Sequence, residues 1–361
     1  MDRMQHGPPL DSLERQWIAE RLETLSVREQ TQLAAISITK RILTECIGKT
    51  GGELLLAVSR LRPDEIQTDI NYLLALSEYE VICPGRTYEQ LGEYYLRQEA
   101  GLPPDLLPFA DLERIGQNYE DEHLGVFIGD CFVILPRDEP RQAYDGTNLD
   151  TLPDTDWSLR LKLASPAKPE GVWLRLPDGD MEGSGKLDEI GLALRELGVK
   201  TVQECRLLDI RCSLPEIAID LEEYDDLADL IYDGNNLGYM LQERGQGQPH
   251  YLEKFRAALE YEHCHGLKLA LDIAGNLSCY DFRPASDAEQ YAREVLRKRG
   301  ESISRDPILA GLIDLKAYGS AMLEREGYEL NAGETAYIRR NGQKFYHEYS
   351  EPRPECDMTM Q

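Results

Sequence analysis

The sequence predicts an α+β fold, an elongated multi-domain chain of small α/β modules with a duplicated module and an N-terminal helical segment. Three observations predict it. Helical and strand-like apolar patterns alternate along the chain. The length of 361 residues suits two or three domains better than a single core. Related segments recur about 200 residues apart, and such recurrence indicates that one module occurs twice.

The first predicted element is a helical segment at residues 1–59. Ser26 is placed to cap a second helix that runs to about Leu43, and Lys49–Gly52 interrupts the pattern. The apolar positions of the first helix recur at helical spacing at Leu13, Trp17, Ile18, Leu22 and Leu25.

The duplicated module follows, with its first copy predicted at residues 60–136. Glu80–Pro84 aligns with Tyr280–Pro284 in the second copy. Farther along, Asp111–Gly116 aligns with Asp314–Gly319. One fold is therefore expected at both places.

The second copy is predicted within residues 244–361. In it, Asn341-Gly342 separates Tyr337-Ile338 from Phe345-Tyr346, a pattern typical of a type I′ hairpin. The second copy is therefore expected to end in a hairpin and a tail.

Between the copies we predict an acidic linker at residues 137–157 and an α/β domain at residues 158–243. The linker contains Pro140, Pro153 and an Asp145-Gly146 turn. The domain is expected to contain strands at Leu159–Leu163, Val172–Leu176 and Val202–Ile210, a helix at Leu187–Leu197 ended by Gly198, and a helix at about Leu221–Leu241.

The charge balance excludes several classes of protein. There are 66 acidic and 39 basic residues, for a formal net charge of -27. Such a surface disfavours direct contact with nucleic acid and favours a basic protein partner.

No apolar stretch is long enough to span a membrane, and the start, Met1–Leu10, lacks a secretory pattern. The eight scattered cysteines are interpreted as reduced thiols, which predicts a cytoplasmic protein.

The acids concentrate between Ser213 and Leu241, where eight occur without a basic residue. If this stretch is one helix, four of them share an outward stripe with neighbours roughly 5–6 Å apart. That spacing is comparable with the charge spacing along a nucleic-acid backbone. A solvated helix face is the ordinary explanation. The alternative is that the carboxylates imitate phosphates, and the residues concerned are Glu216, Asp220, Glu222, Glu223, Asp225, Asp226, Asp229 and Asp233.

Two further clusters favour the second explanation. Glu120-Asp121-Glu122 lies in the first copy of the module. Asp145, Asp150, Asp154 and Asp156 form another base-free stretch in the predicted linker.

Several segments resemble the ArdA-type antirestriction proteins. The middle of the chain is similar to the N-terminal domain of that family, and the duplicated module is similar to its C-terminal region. The segments that carry the resemblance are Glu170–Pro177, Leu194–Val199, Leu214–Glu216 with Tyr224–Ala228, Phe109–Gly116 and Leu312–Gly319.

The resemblance implies an elongated, dimeric mimic of bent DNA that occupies the DNA-binding groove of a type I restriction-modification complex. It also implies carriage on a mobile genetic element and host defence evasion. This chain is about twice the usual length, which leaves open whether the duplication replaces a homodimer or lengthens the mimic.

Enzymatic chemistry finds weaker support. His263-Cys264-His265 offers metal-binding side chains without a second cluster in the sequence. Gly183-Ser184-Gly185-Lys186 ends like a phosphate loop, but Asp180 and Leu187 occupy the positions that the motif reserves for glycine and for serine or threonine. We therefore predict a non-enzymatic protein with no catalytic residue, cofactor or metal.

The predicted function is that of an antirestriction protein and DNA mimic. The alternatives from the sequence are an acidic inhibitor of another host defence nuclease, such as an anti-CRISPR-like protein, a carboxylate-dependent hydrolase, and an acidic scaffold or chaperone for a basic protein.

Overall fold

The computed structural model describes residues 12–101, 104–149, 157–178, 188–245, 248–300 and 313–350. Helices alternate there with three small antiparallel sheets, which confirms the predicted α+β class. The chain divides into two units, Met1–Arg211 and Cys212–Gln361.

The first unit holds both a copy of the duplicated module and a small α/β module. Its helices are α1 (Leu13–Glu23), α2 (Val27–Lys40), α3 (Gly51–Ser59), α4 (Ile66–Leu74), α5 (Tyr88–Tyr94), α6 (Leu112–Glu122) and α7 (Glu189–Leu197). Its strands are β1 (Glu80–Ile82), β2 (Gly125–Ile128), β3 (Cys131–Ile134), β4 (Leu159–Ala164), β5 (Val172–Arg175) and β6 (Arg206–Cys212), the last ending at the unit boundary.

The second unit holds the second copy. Its helices are α8 (Leu227–Gly245), α9 (Tyr251–Tyr261), α10 (Leu267–Gly275), α11 (Ala288–Lys298) and α12 (Leu315–Arg325). Its strands are β7 (Tyr280–Pro284), β8 (Glu329–Leu330) and β9 (Ala336–Arg340).

The two copies share one topology. Their sheets have the orders β1-β3-β2 and β7-β9-β8, and each has a helix pair, α5 with α6 and α11 with α12. Asp111 and Asp314 each cap the second helix of the pair through a backbone N–H three residues on. A Cβ on Gly116 would lie 1.9 Å from the carbonyl oxygen of Tyr88, and one on Gly319 would lie 1.9 Å from that of Ala288. The recurring Asp and Gly therefore start this helix and let it pack closely on its neighbour.

The similarity extends upstream of the aligned segments Glu80–Pro84 and Tyr280–Pro284. The buried positions of α4 recur in α10 with an offset of 201 residues (Ile66 and Leu267, for example). In the first copy, Asn71 exchanges hydrogen bonds with the backbone of Tyr144. In the second, Asp272 accepts from the backbone N–H groups of residues 348–350. In both copies, a polar side chain at the equivalent buried position, Asn71 or Asp272, thus binds the segment that follows the sheet.

An insertion distinguishes the first copy. Helix α2 packs on the sheet β1-β3-β2, and α9 packs on β9. Each is followed by a non-glycine residue with positive φ, Arg41 or His263. After α9 the chain enters α10 within a short turn, whereas after α2 it first forms α3. Helix α3 and its flanking turns are therefore specific to the first copy.

The α/β module joins the helices of the first unit through a buried carboxylate. Arg160 of β4 binds Glu29 of α2 through two hydrogen bonds of 2.6 and 2.9 Å. Arg21 donates to the same carboxylate at 3.1 Å, and the Arg175 Nε lies 3.5 Å from it. The Glu29 carboxylate at the start of α2 thus binds arginines of α1, β4 and β5 and holds the two strands against α2.

Some predicted boundaries differ from the structure. The division at Arg211 falls inside the predicted domain 158–243, because α8 packs on α10 instead of on the β5-β4-β6 sheet. The prediction of a helix ended by Gly198 is confirmed, since Gly198 has a φ of 68° at the end of α7.

The predicted C-terminal hairpin is wrong. Residues 343–347 form no strand, although Asn341-Gly342 follows β9 directly. Both edges of β9 are already paired, with β7 and β8, so no edge remains for another strand.

The prediction that all cysteines are reduced is also wrong. Cys83 and Cys131 form a disulfide. Ile82 of β1 lies directly opposite Phe132 of β3. Because Cys83 follows Ile82 and Cys131 precedes Phe132, the antiparallel register places the two cysteines opposite each other. The other described cysteines form no disulfide.

The described helices include none that combines the length and apolar character needed to cross a membrane.

Candidate acidic binding surface

The acid-rich segment of the second unit is held by a few buried side chains. Leu214 and Ile217 are buried and close a turn through the Ile217 N–H and the Leu214 carbonyl. Farther along, the Tyr224 hydroxyl donates to Asp233 at 3.2 Å. The intervening residues are thereby fixed at the surface without much apolar burial of their own.

The predicted helix at Leu221–Leu241 begins later than expected. Leu221–Glu223 forms one turn of 3₁₀ helix, and α8 starts at Leu227. The Asp226 carboxylate accepts from the N–H groups of Ala228 at 2.7 Å and Asp229 at 3.1 Å, so it caps α8 instead of lying within it. The prediction of a single outward stripe of four acids along one helix is therefore wrong.

Asp220 caps the 3₁₀ turn in the same manner. Its carboxylate accepts from the Glu222 N–H at 2.9 Å. Two caps in succession thus turn the chain, and the acids point outward from two short turns and the beginning of α8.

The exposed acids of this segment differ from most other charged residues in their ion pairing. Among the residues that the structure describes, none forms an ion pair with them. We call this set the acidic surface, and it comprises Asp220, Glu222, Glu223, Asp225, Asp226 and Asp229.

Two of the eight predicted residues lie elsewhere. Asp233 is only 7% exposed and accepts the Tyr224 hydroxyl, so it is a buried anchor. Burial, more than any charge nearby, raises the pKa of the Asp233 carboxyl. Glu216 is partly buried in a pocket of about 420 Å³ with His263 and His265.

A basic residue fixes the backbone of the acidic surface without neutralising its side chains. Lys268 donates from Nζ to the carbonyl oxygen of Glu223 at 2.8 Å and lies 5.0 Å from the centre of the Tyr224 ring. Its charge therefore contacts a backbone dipole and an aromatic face.

Ion pairs are frequent in other parts of the described chain. Examples are Arg283 with Glu294, Arg339 with Asp281 and Arg340 with Glu262 in the same unit. The acidic surface thus differs from its surroundings in pairing as well as in composition.

The other predicted acidic clusters are placed in part. Glu120-Asp121-Glu122 forms the end of α6, where acids oppose the helix dipole. Asp145 is used locally, since its carboxylate accepts from the backbone of Thr147 and Asn148. Asp150, Asp154 and Asp156 lie outside the described residues.

The enzymatic motifs gain little from the structure. Across the described ranges, His, Cys, Asp and Glu side chains form no group of three or more that could hold a metal ion. The Cys264 thiol donates to the Gly266 carbonyl oxygen at 3.4 Å. The segment Gly183–Lys186 lies outside the described residues.

No protein-family model matches the chain, and neither a curated protein nor a solved structure is detectably similar to it.

Proposed function

We propose that this protein is a cytoplasmic antirestriction protein that acts as a DNA mimic. The acidic surface takes the place of DNA phosphates in the basic groove of a type I restriction-modification complex. The observation that carries the proposal is the run of six exposed carboxylates, Asp220 to Asp229, without a basic partner among the described residues.

Local stability accounts for only some of these acids. Asp226 and Asp229 cap or adjoin the start of α8, where the helix dipole favours negative charge. Within the described part of the chain, Glu222, Glu223 and Asp225 form no ion pair that would offset their mutual repulsion. A basic groove would offset it, which is the physical reason to look for a partner.

The choice of partner rests on the resemblance of Glu170–Pro177 and the repeated segments to antirestriction proteins. The mechanism is competition without catalysis. The high net charge of -27 accelerates encounter with a basic groove, and added salt weakens the complex.

The test is a plasmid restriction assay in cells that carry a type I system. The wild-type chain should relieve restriction. A variant in which the acidic surface carries Asp→Asn and Glu→Gln substitutions should lose most of that relief, while Asn still caps both turns. Circular dichroism of the purified variant establishes that it is folded.

A matched control removes the same charge elsewhere. Six exposed acids of the first unit serve this purpose, namely Glu20, Glu23, Glu53, Asp64, Glu78 and Glu113. Both variants carry six fewer charges than the wild-type -27, that is -21. Equal loss of relief in both would assign the effect to net charge and contradict a defined surface. No relief by the folded wild-type chain would contradict the proposed target.

The mimic should also be distributed. No single substitution in the acidic surface is expected to abolish relief, because each carboxylate replaces one phosphate among several. If one alanine substitution abolished it while the other five were silent, a specific polar site would be the better explanation.

A further inference from the structure

A pocket in the first unit has a composition unlike the rest of this acidic protein. It encloses about 480 Å³ between the turn after α2, the end of α3 and helix α4. Four basic residues line it, Lys40, Arg41, Arg60 and Arg62, in a chain whose net charge is -27. Its volume lies in the range of pockets that bind small molecules.

Two of the four basic side chains form an ion pair, and the other two form none with the residues that the structure describes. Lys40 pairs with Glu139, and Arg62 pairs with Glu65. Arg41 and Arg60 are exposed and form no ion pair with any residue in the described part of the chain. Free guanidinium groups at a pocket are donors suited to a phosphate group.

Asp69 provides the opposite polarity inside the pocket. It is only 3% exposed, and its Oδ2 is buried without a hydrogen-bond partner among the described residues. Burial raises the pKa of the Asp69 carboxyl to about 7. A buried polar atom without a partner is costly, so an acceptor in this position calls for a donor from outside the chain.

The fold does not require an acid at this position. The second copy carries Ala270 at the corresponding place in α10, fully buried. The turn and helix that supply Arg60 and Arg62 are also specific to the first copy. The pocket is therefore an addition to the duplicated module and not a part of its common framework.

The remaining lining combines apolar side chains with two threonines, Thr44 and Thr68, and two further acids. Ile42, Leu43 and Leu61 provide aliphatic walls, and Tyr72 provides an aromatic one. The described lining of the pocket includes no serine, cysteine or histidine, and its other carboxylates, Glu45 and Glu65, each lie beside a cation. The arrangement suits binding better than covalent catalysis.

We propose that this pocket binds a nucleoside monophosphate, with the phosphate at Arg41 and Arg60 and an N–H or O–H donor of the ligand at Asp69. The apolar walls accommodate the base, and the pocket volume fits a ligand of this size. The acidic surface of the second unit takes no part, so the two proposals stand or fall separately.

The test measures binding of the four nucleoside monophosphates to the full-length protein by isothermal titration calorimetry. Adenosine and inorganic phosphate serve as probes of the two halves of the ligand. At least one monophosphate should bind, and each half-probe should bind roughly tenfold more weakly or worse. Failure of all four monophosphates to bind would overturn the proposal.

Two sets of variants locate the site. Arg41→Ala with Arg60→Ala should raise the Kd for the monophosphate roughly tenfold or more, because charge-assisted hydrogen bonds are lost. The matched control is Arg114→Ala with Arg137→Ala, which removes two exposed arginines elsewhere in the first unit. Equal weakening by the control pair would show that binding is nonspecific.

Asp69→Ala reproduces the alanine of the second copy and should leave the protein folded while raising the Kd. Asp69→Asn supplies a second, nearly isosteric variant if alanine disturbs packing. If both variants fold and bind as the wild-type chain does, Asp69 does not hold the ligand and the proposed orientation is wrong.

Discussion

At the scale of single residues, buried acids are the most consequential feature of the first unit. Glu29 pairs with three arginines, whereas its neighbour Glu189 forms no ion pair with a residue of the described ranges. Burial, reinforced by the charge of Glu29, raises the pKa of Glu189 to about 7. Burial also raises the pKa of the Asp69 and Asp178 carboxyls to about 7.

These raised pKa values predict how stability depends on pH. An acid whose pKa rises on folding stays protonated in the folded protein after its unfolded form has ionised. The free energy of unfolding should therefore fall between about pH 4.5 and about pH 7 and level off above. Glu189 alone accounts for on the order of 3 kcal/mol of this fall. Urea denaturation across this pH range measures it.

The variant Glu189→Gln isolates the contribution of one residue. It should flatten the pH dependence by the share of Glu189 and leave that of Asp69 and Asp178. The exposed Glu20→Gln serves as the control and should change nothing. If the free energy of unfolding of Glu189→Gln depends on pH as that of the wild-type chain does, then Glu189 has the same pKa in the folded and unfolded protein.

At the scale of elements, the repeated close approach of two helices is a structural signature of the duplication. In both copies a glycine of the second helix contacts the first residue of the preceding helix, Tyr88 or Ala288. Added side-chain volume must displace backbone there, since the nearest atom is a carbonyl oxygen.

We therefore expect Gly116→Ala and Gly319→Ala to destabilise the protein, each by about 1–3 kcal/mol. The gain in helix propensity, about 1 kcal/mol, offsets part of the strain. Asn118→Ala, on the exposed face of α6, is the control and should be neutral or slightly stabilising. Thermal denaturation compares the three variants, and a neutral effect of both glycine substitutions would show that the helices separate without cost.

Elements with local signals were predictable from the sequence. Strands β4 and β5 of the α/β module follow apolar periodicity, and the helix ended by Gly198 has a glycine cap. The duplication was visible because Asp111–Gly116 and Asp314–Gly319 preserve a cap and a close contact.

Features that depend on distant residues were not predictable. The carboxylate of Glu29 meets Arg160 across 131 positions of sequence. The Cys83–Cys131 disulfide follows from strand register, which the spacing of the cysteines does not reveal. The sequence predicts too early a start for α8, because a run of acids and leucines fits helical spacing. In the structure, the Asp220 and Asp226 caps divide this run into a 3₁₀ turn and the start of α8.

The pocket that Asp69 lines in the first unit was not predictable from the sequence for a related reason. Its basic residues come from the end of α2 and from the turns after α2 and α3. Nothing in the local pattern of α4 marks Asp69 as a buried acid without a partner among the described residues. The comparison with Ala270 that exposes it requires the two copies to be aligned by structure.

At the scale of the whole molecule, the second unit has what an independent domain requires. Phe255, Leu271 and Leu323 are fully buried within it. Its sheet, β7-β9-β8, is complete without strands from the first unit. Asp272 also binds the segment after β9 within the same unit.

We therefore expect a fragment of residues 212–361 to fold alone and to unfold cooperatively. A second fragment, residues 244–361, begins at the boundary that the sequence predicts and lacks nearly all of α8. It should be less stable or unfolded, because α8 packs against α10 and buries Leu230 and Leu237. Circular dichroism during heating measures both transitions. Equal stability of the two fragments would assign α8 and its acidic surface to the preceding domain, and absence of a transition in the longer fragment would show that the second unit needs the first.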